Sequence, residues 1–134
     1  MDTSRPQTWI RAALLVGVAY LIIGRLFALP IDHARAWRLA AWVVSGVTFA
    51  AHIGYEHVRL RSSPGVLALH TALAVALGAF GLAVAGALHS LSVTSSIRPL
   101  WLLALVAWPV FTAVPAFLAA CVAAAVLSRL APRG

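Results

Sequence analysis

Residues Gly65 to His89 read GVLALHTALAVALGAFGLAVAGALH, a run without a single Asp, Glu, Lys or Arg. Its apolar side chains follow no period-2 alternation, so the run suits a helix and not a barrel strand. A bilayer core about 30 Å thick is crossed by roughly 20 such residues. The run is therefore predicted to be a membrane-spanning helix. Three further stretches meet the same demand: about Trp9 to Leu29, ending at Pro30; Ala36 to His57; and Leu100 to Ser128. The connections between them are short and rich in turn formers, at Leu29-Pro30-Ile31-Asp32, Arg61-Ser62-Ser63-Pro64-Gly65 and Ser90 to Arg98. Short loops make neighbours antiparallel. The expected fold is an all-α, up-down-up-down four-helix transmembrane bundle forming one integral membrane domain over residues 1–134.

Composition agrees with that reading. Of 134 residues, 63% are apolar and 10% charged, whereas a soluble domain is about half apolar and a quarter charged. The single cysteine, Cys121, excludes a disulfide framework within the chain and a cysteine-rich metal or iron–sulfur site. A signal peptide is weighed because Arg5 and Arg11 precede an apolar run from Ala12 to Gly24. The nearest Ala-x-Ala, Ala34-Arg35-Ala36, lies beyond a proline and is too distant for cleavage, so the first helix is expected to remain.

Arginine supplies every basic side chain except histidine. One face is expected to hold Arg5, Arg11, Arg59, Arg61, Arg129 and Arg133, and the other Arg25, Arg35, Arg38 and Arg98. Six against four favours cytoplasmic termini and, with the arginine- and alanine-rich composition, a multi-pass protein of a bacterial inner membrane. Trp9, Trp37 and Trp101 fall at helix starts, the level amphipathic rings prefer. The net charge of +7 is spread over both faces, which points to topology and anionic lipid rather than nucleic acid.

Polar side chains at membrane depth are costly and mark candidate sites. In the second helix Arg38, Ser45, His52 and Arg59 recur at seven-residue intervals. Ser45, Thr48, His52 and Glu56 fall within an arc of roughly 80°. The third helix gathers His70, Ala74, Gly78, Gly81, Ala85 and His89 within roughly 100°. Ala74/Gly78 and Gly81/Ala85 are pairs of small residues at four-residue spacing, and Gly17 and Gly24 give the first helix a similar face beside Ala13 and Tyr20. These six positions are the expected helix-packing residues.

His52 lies near the end of the second helix and His70 near the start of the third, so both imidazoles are expected at one depth, roughly 7 Å below the interface. Glu56 stands one turn from His52. Three readings compete for this cluster. It can be a satisfied polar tie, with Glu56 bonded to His52 or paired with Arg59 or Arg61. It can be the proton, metal or substrate site of a small transporter, since histidine titrates near neutral pH. Or His52 and His70 can be the axial ligands of a b-type haem. No cofactor is the leading expectation, and haem b the minority one.

His33 and His57 are expected in or beside loops, His89 at the end of the third helix, and Arg25 snorkelling outward. Pro109 and Pro115 deprive the carbonyls of Leu105 and Phe111 of their usual donors and should kink the last helix, with Thr112 placed to bond backbone. No enzyme constellation emerges. The chain has one glutamate and two aspartates, so paired-carboxylate catalysis is not expected. The leading functional expectation is a non-enzymatic helix-packing accessory or homo-oligomeric membrane subunit. The alternatives are the proton- or metal-coupled transporter and the haem-bearing electron carrier.

Overall fold

The computed structural model describes residues 5–28, 34–96 and 99–130. The turn at Pro30, His33, Arg98 and Arg133 lie outside them. Four helices account for nearly all of the described residues: α1 (Arg5–Leu26), α2 (Ala34–Tyr55), α3 (Pro64–Thr94) and α4 (Pro99–Leu130), and a π-helical turn, Glu56–Leu60, extends α2. No strand occurs among them.

Sequence chemistry explains the ends. Ser63 is extended (φ −62°, ψ 154°) and Pro64 opens α3, where its fixed φ suits the first turn and its missing N–H costs nothing. At the other end α3 runs to Thr94, past the stop expected at His89. The hydroxyls there bond the helix backbone instead of ending it: Ser92 Oγ donates to His89 O at 2.8 Å and Thr94 Oγ1 to Ser90 O at 2.7 Å. The helix finally stops where Ser95 turns left-handed (φ 55°) with its N–H on Leu91 O. Arg61, also left-handed (φ 49°), closes the π-helical turn with its N–H on Glu56 O. α1 begins at Arg5, earlier than Trp9, and ends at Leu26.

α3 is the central helix, packed along α4 on one side and α1 on the other, while α2 has far fewer contacts. Its interior face is alanine: Ala68, Ala72, Ala74, Ala79, Ala83 and Ala87 are all buried. Small residues let helices approach closely where lipid offers no hydrophobic drive for association. A Cβ added at Gly17 would stand 2.9 Å from Leu77 Cβ, and one at Gly78 2.5 Å from Tyr20 Cβ. Further along, Gly24 faces Leu82 and Gly81 faces Leu21. Residue numbers rise together across this seam, so α1 and α3 run in the same direction. α4 runs against them: Gly86 of α3 faces Trp101, whereas Leu67 and Ala68 cluster with Ala120 and Ala124. Ile53 joins that last cluster and anchors the end of α2.

Three helices are long and apolar enough to cross a membrane: Gln7–Leu26, Pro64–Thr94 and Pro99–Leu130. α2 is not among them, because Arg35, Arg38, Ser45, Thr48 and His52 dilute its 22 residues. α4 continues as one helix through Pro109 and Pro115. Thr112 Oγ1 bonds Trp108 O at 2.9 Å and Pro109 O at 3.1 Å, its own preceding turn.

Candidate functional site

The polar cluster forms where α2 gives way to the π-helical turn. Glu56 opens that turn and is fully buried, at 0% exposure. A π turn adds a residue to the helical repeat, and such turns recur at functional sites. The carboxylate lies at the junction of α2, the connection and α3. Ser62 Oγ donates to Glu56 Oε2 at 2.5 Å, the short length of a hydroxyl bonding an anion. His70 Nδ1 lies 3.0 Å from Oε1. With the carboxylate ionised, which only accepts, Nδ1 is the donor of that pair.

His52 approaches the same oxygen from one turn back along α2, Nε2 to Oε1 3.8 Å. That is too long for a hydrogen bond. His52 is 3% exposed, and neither of its ring nitrogens has a hydrogen-bond partner among the described residues. A movement of about 1 Å would bring Nε2 into bonding range of Glu56. The three side chains therefore form a line, His70–Glu56–His52, bonded at one end and open at the other.

Two cavities flank this line. One, about 500 Å³, is lined by Trp9, Arg59, Arg61, Ser62 and His70 among others. The second, about 630 Å³, runs between α1 and α2 past Arg11, Thr48, His52 and Tyr55. His70 belongs to the first and His52 to the second, with Glu56 between them. On the first side, the His70 ring lies flat on Trp9, centroids 4.2 Å apart and planes within 3°.

Of the sequence-predicted site residues, the fold brings His52, Glu56 and His70 together. Ser45 and Thr48 stand further up α2, away from the carboxylate; Thr48 bonds its own backbone at Val44 O, 2.9 Å, and lines the second cavity. Neither Arg59 nor Arg61 comes within 4.0 Å of a carboxylate among the described residues, so Glu56 is satisfied by His70 and Ser62 instead. Among the described residues no group of three His, Cys, Asp or Glu is arranged to hold a metal ion. Both imidazoles converge on a carboxylate oxygen rather than on an open slot between them, and a haem would need that slot. Gly17, Gly24, Ala74, Gly78 and Gly81 lie at the α1–α3 seam, and Ala85 is half-buried on α3.

Sequence reasoning missed Ser62 and Trp9. Ser62 was legible only as a turn former. Trp9 had a signal: it lies near the start of α1, at the end of the bundle where α3 also starts, and so at the level of His70. No protein-family model, curated protein or solved structure matches this chain.

Proposed function

We propose that the chain is a small proton-coupled transporter whose membrane-embedded proton carrier is the His52–Glu56–His70 line. The chain would cross the bilayer four times, up-down-up-down, with α2 as the fourth span and α4 bent at Pro109 and Pro115. Six arginines against four favour both ends of the chain on the cytoplasmic side, and a bacterial inner membrane fits the arginine- and alanine-rich composition.

One observation carries the reading: a fully buried carboxylate stands between His70, which lines one cavity, and His52, which lines another. A proton entering on His70 can pass to Glu56, whose oxygen already bonds Nδ1. The next acceptor, His52, has two unpartnered ring nitrogens, of which Nε2 lies 3.8 Å from that oxygen. A buried ionisable group of this kind is costly in a bilayer unless it is used. Less supports the other versions: among the described residues no His, Cys, Asp or Glu group is arranged to hold a metal ion, and both imidazoles are directed at Glu56.

The test is proton uptake by vesicles containing the full chain under an imposed potential, followed with a trapped pH-sensitive dye. Glu56→Gln keeps the size and one acceptor oxygen but cannot carry the charge, and should slow uptake at least about 100-fold, as loss of a general acid–base group does. Uptake by Glu56→Gln at the wild-type rate would sink the reading.

A second reading, a homo-oligomeric or accessory subunit, draws on the placement of α2. The least apolar helix is also the least packed, with Trp42 at 78% exposure. Lipid is a poor neighbour for Ser45 and the N-terminal arginines of such a helix. A second copy would be a better one. Trp42→Cys in a Cys121→Ala background should form a disulfide-linked dimer in membranes; a monomer under oxidising conditions would count against it.

A further inference from the structure

Charge pairing is lopsided at the end of the bundle that holds Glu56. Glu56 is the one acidic residue among the described ones, and its two oxygens are taken by Ser62 and His70. Arg59 and Arg61 face no carboxylate there, yet both line the same cavity of about 500 Å³. The left-handed turn at Arg61 follows the π-helical turn that carries Arg59, so the fold itself brings the two arginines to one hollow. Trp9 forms part of the wall, and the helix α3 begins two residues beyond Ser62.

We propose that this cavity binds a phosphate group, with Arg59 and Arg61 as its cationic partners. Guanidinium forks match phosphate oxygens, and the tetrahedral oxygens of a phosphate group can take two of them from different directions. Glu56 opposes the anion with one negative charge, but it is fully buried behind Ser62 and His70, and the two arginines outnumber it. The cavity lies at the level of Trp9, an interfacial depth where both a phospholipid headgroup and a free phosphate are within reach. The chemistry recognised is the same for both sources. The site rests on Arg59 and Arg61 and stands whether or not Glu56 carries protons.

The experiment uses the full chain in maltoside micelles, which contain no phosphate. Inorganic phosphate and short-chain phosphatidylglycerol are titrated separately, and binding is read from phosphorus NMR line broadening. Saturable binding of either probe is expected: the lipid alone identifies a headgroup site, and inorganic phosphate a soluble-anion site. Arg59→Gln/Arg61→Gln should weaken binding at least about tenfold, the loss of two charge-assisted contacts. Arg35→Gln, at the opposite end of α2, should change it less than about twofold. If the glutamine pair does not fold, Arg59→Lys/Arg61→Lys keeps the charge, removes the forks and should still weaken binding. Glu56→Gln removes the opposing charge and should bind phosphate at least as tightly as the wild type does, so a failure of proton uptake leaves this site standing. The proposal is overturned by the absence of saturable binding of both probes, by wild-type affinity in both arginine pairs, or by an equal loss in Arg35→Gln.

Discussion

α1 and α2 both flank α3, yet they are held to it by different means. α1 lies along α3 at backbone distance, and the seam works because Gly17 and Gly78 leave out the atoms that would collide. α2 touches α3 chiefly at one end, through Ile53 and through the Glu56 hydrogen bonds to His70 and across to Ser62. Its two interior glycines, Gly46 and Gly54, have nothing within 4 Å of where a Cβ would stand. One seam is a matter of shape spread over several turns. The other is a tie to α3 concentrated at one end, where Ile53 and the Glu56 bonds lie, while the opposite end of α2 meets α1 through Trp37 on Phe27. A helix tied to the central one at a single end is suited to a moving part; a helix locked by shape is suited to a frame.

The largest effect should come from the frame. A Cβ at position 78 would sit 2.5 Å from Tyr20 Cβ and 3.1 Å from Gly17 O, and neither atom belongs to a side-chain end that can swing away. Gly78→Val should therefore cost about 3 kcal/mol, the upper range for overpacking a tight contact. Thermal unfolding in detergent measures it. An unchanged midpoint would mean that α1 is not locked by shape, and the contrast with α2 would collapse.

Next in size is the polar tie. Ser62→Ala removes the hydroxyl bonded to Glu56 Oε2 and leaves a fully buried carboxylate with one protein donor, His70. The expected loss is about 2 kcal/mol, the range for a hydrogen bond to a charged group. Amide exchange should rise in the π-helical turn Glu56–Leu60 while the α1–α3 seam keeps its protection. Ser62→Thr, which keeps the hydroxyl, should restore both. Exchange rising equally in α1 would mean that the tie holds the whole bundle and not α2 alone.

The two modes of attachment were not equally legible in the sequence. Small residues at four-residue spacing are a periodic signal, so Gly17, Gly78 and Gly81 could be singled out by position alone. The seam they make binds α1 to α3 inside one chain, which periodicity does not reveal: a small-residue face has no label for its partner. His52, Glu56 and His70 could be brought together because two antiparallel helices joined by a short loop must put matching positions at one depth. What decided the bonding was local and invisible to a 100° wheel. The π turn at Glu56 and the left-handed Arg61 shift the register just there, sending Ser62 to the carboxylate and both arginines away from it. Likewise the hydroxyls near Ser90 to Thr94 read as a loop by composition, yet they bond backwards and prolong α3. Hydropathy, finally, ranks α2 below the other three helices, but rank says nothing about which helix occupies the centre.

The smallest effect is the most discriminating for α2. Gly46→Ala and Gly54→Ala add a methyl into open space within one chain and replace a residue that disfavours helix by about 0.5–1 kcal/mol. In an isolated chain each should raise the unfolding midpoint slightly, opposite in sign to Gly78→Val. That sign depends on α2 having no neighbour at those positions. If a second copy docks along α2, the same methyl at the exposed Gly46 meets a backbone and weakens association, so the variant gains less stability with rising protein concentration than the wild type does and its deficit against the wild type widens. Melting Gly46→Ala across a range of concentrations in detergent therefore separates the two states of α2. A stabilisation independent of concentration leaves α2 as a lone helix tethered at Glu56, and a destabilisation that grows with concentration identifies its outer face as an interface.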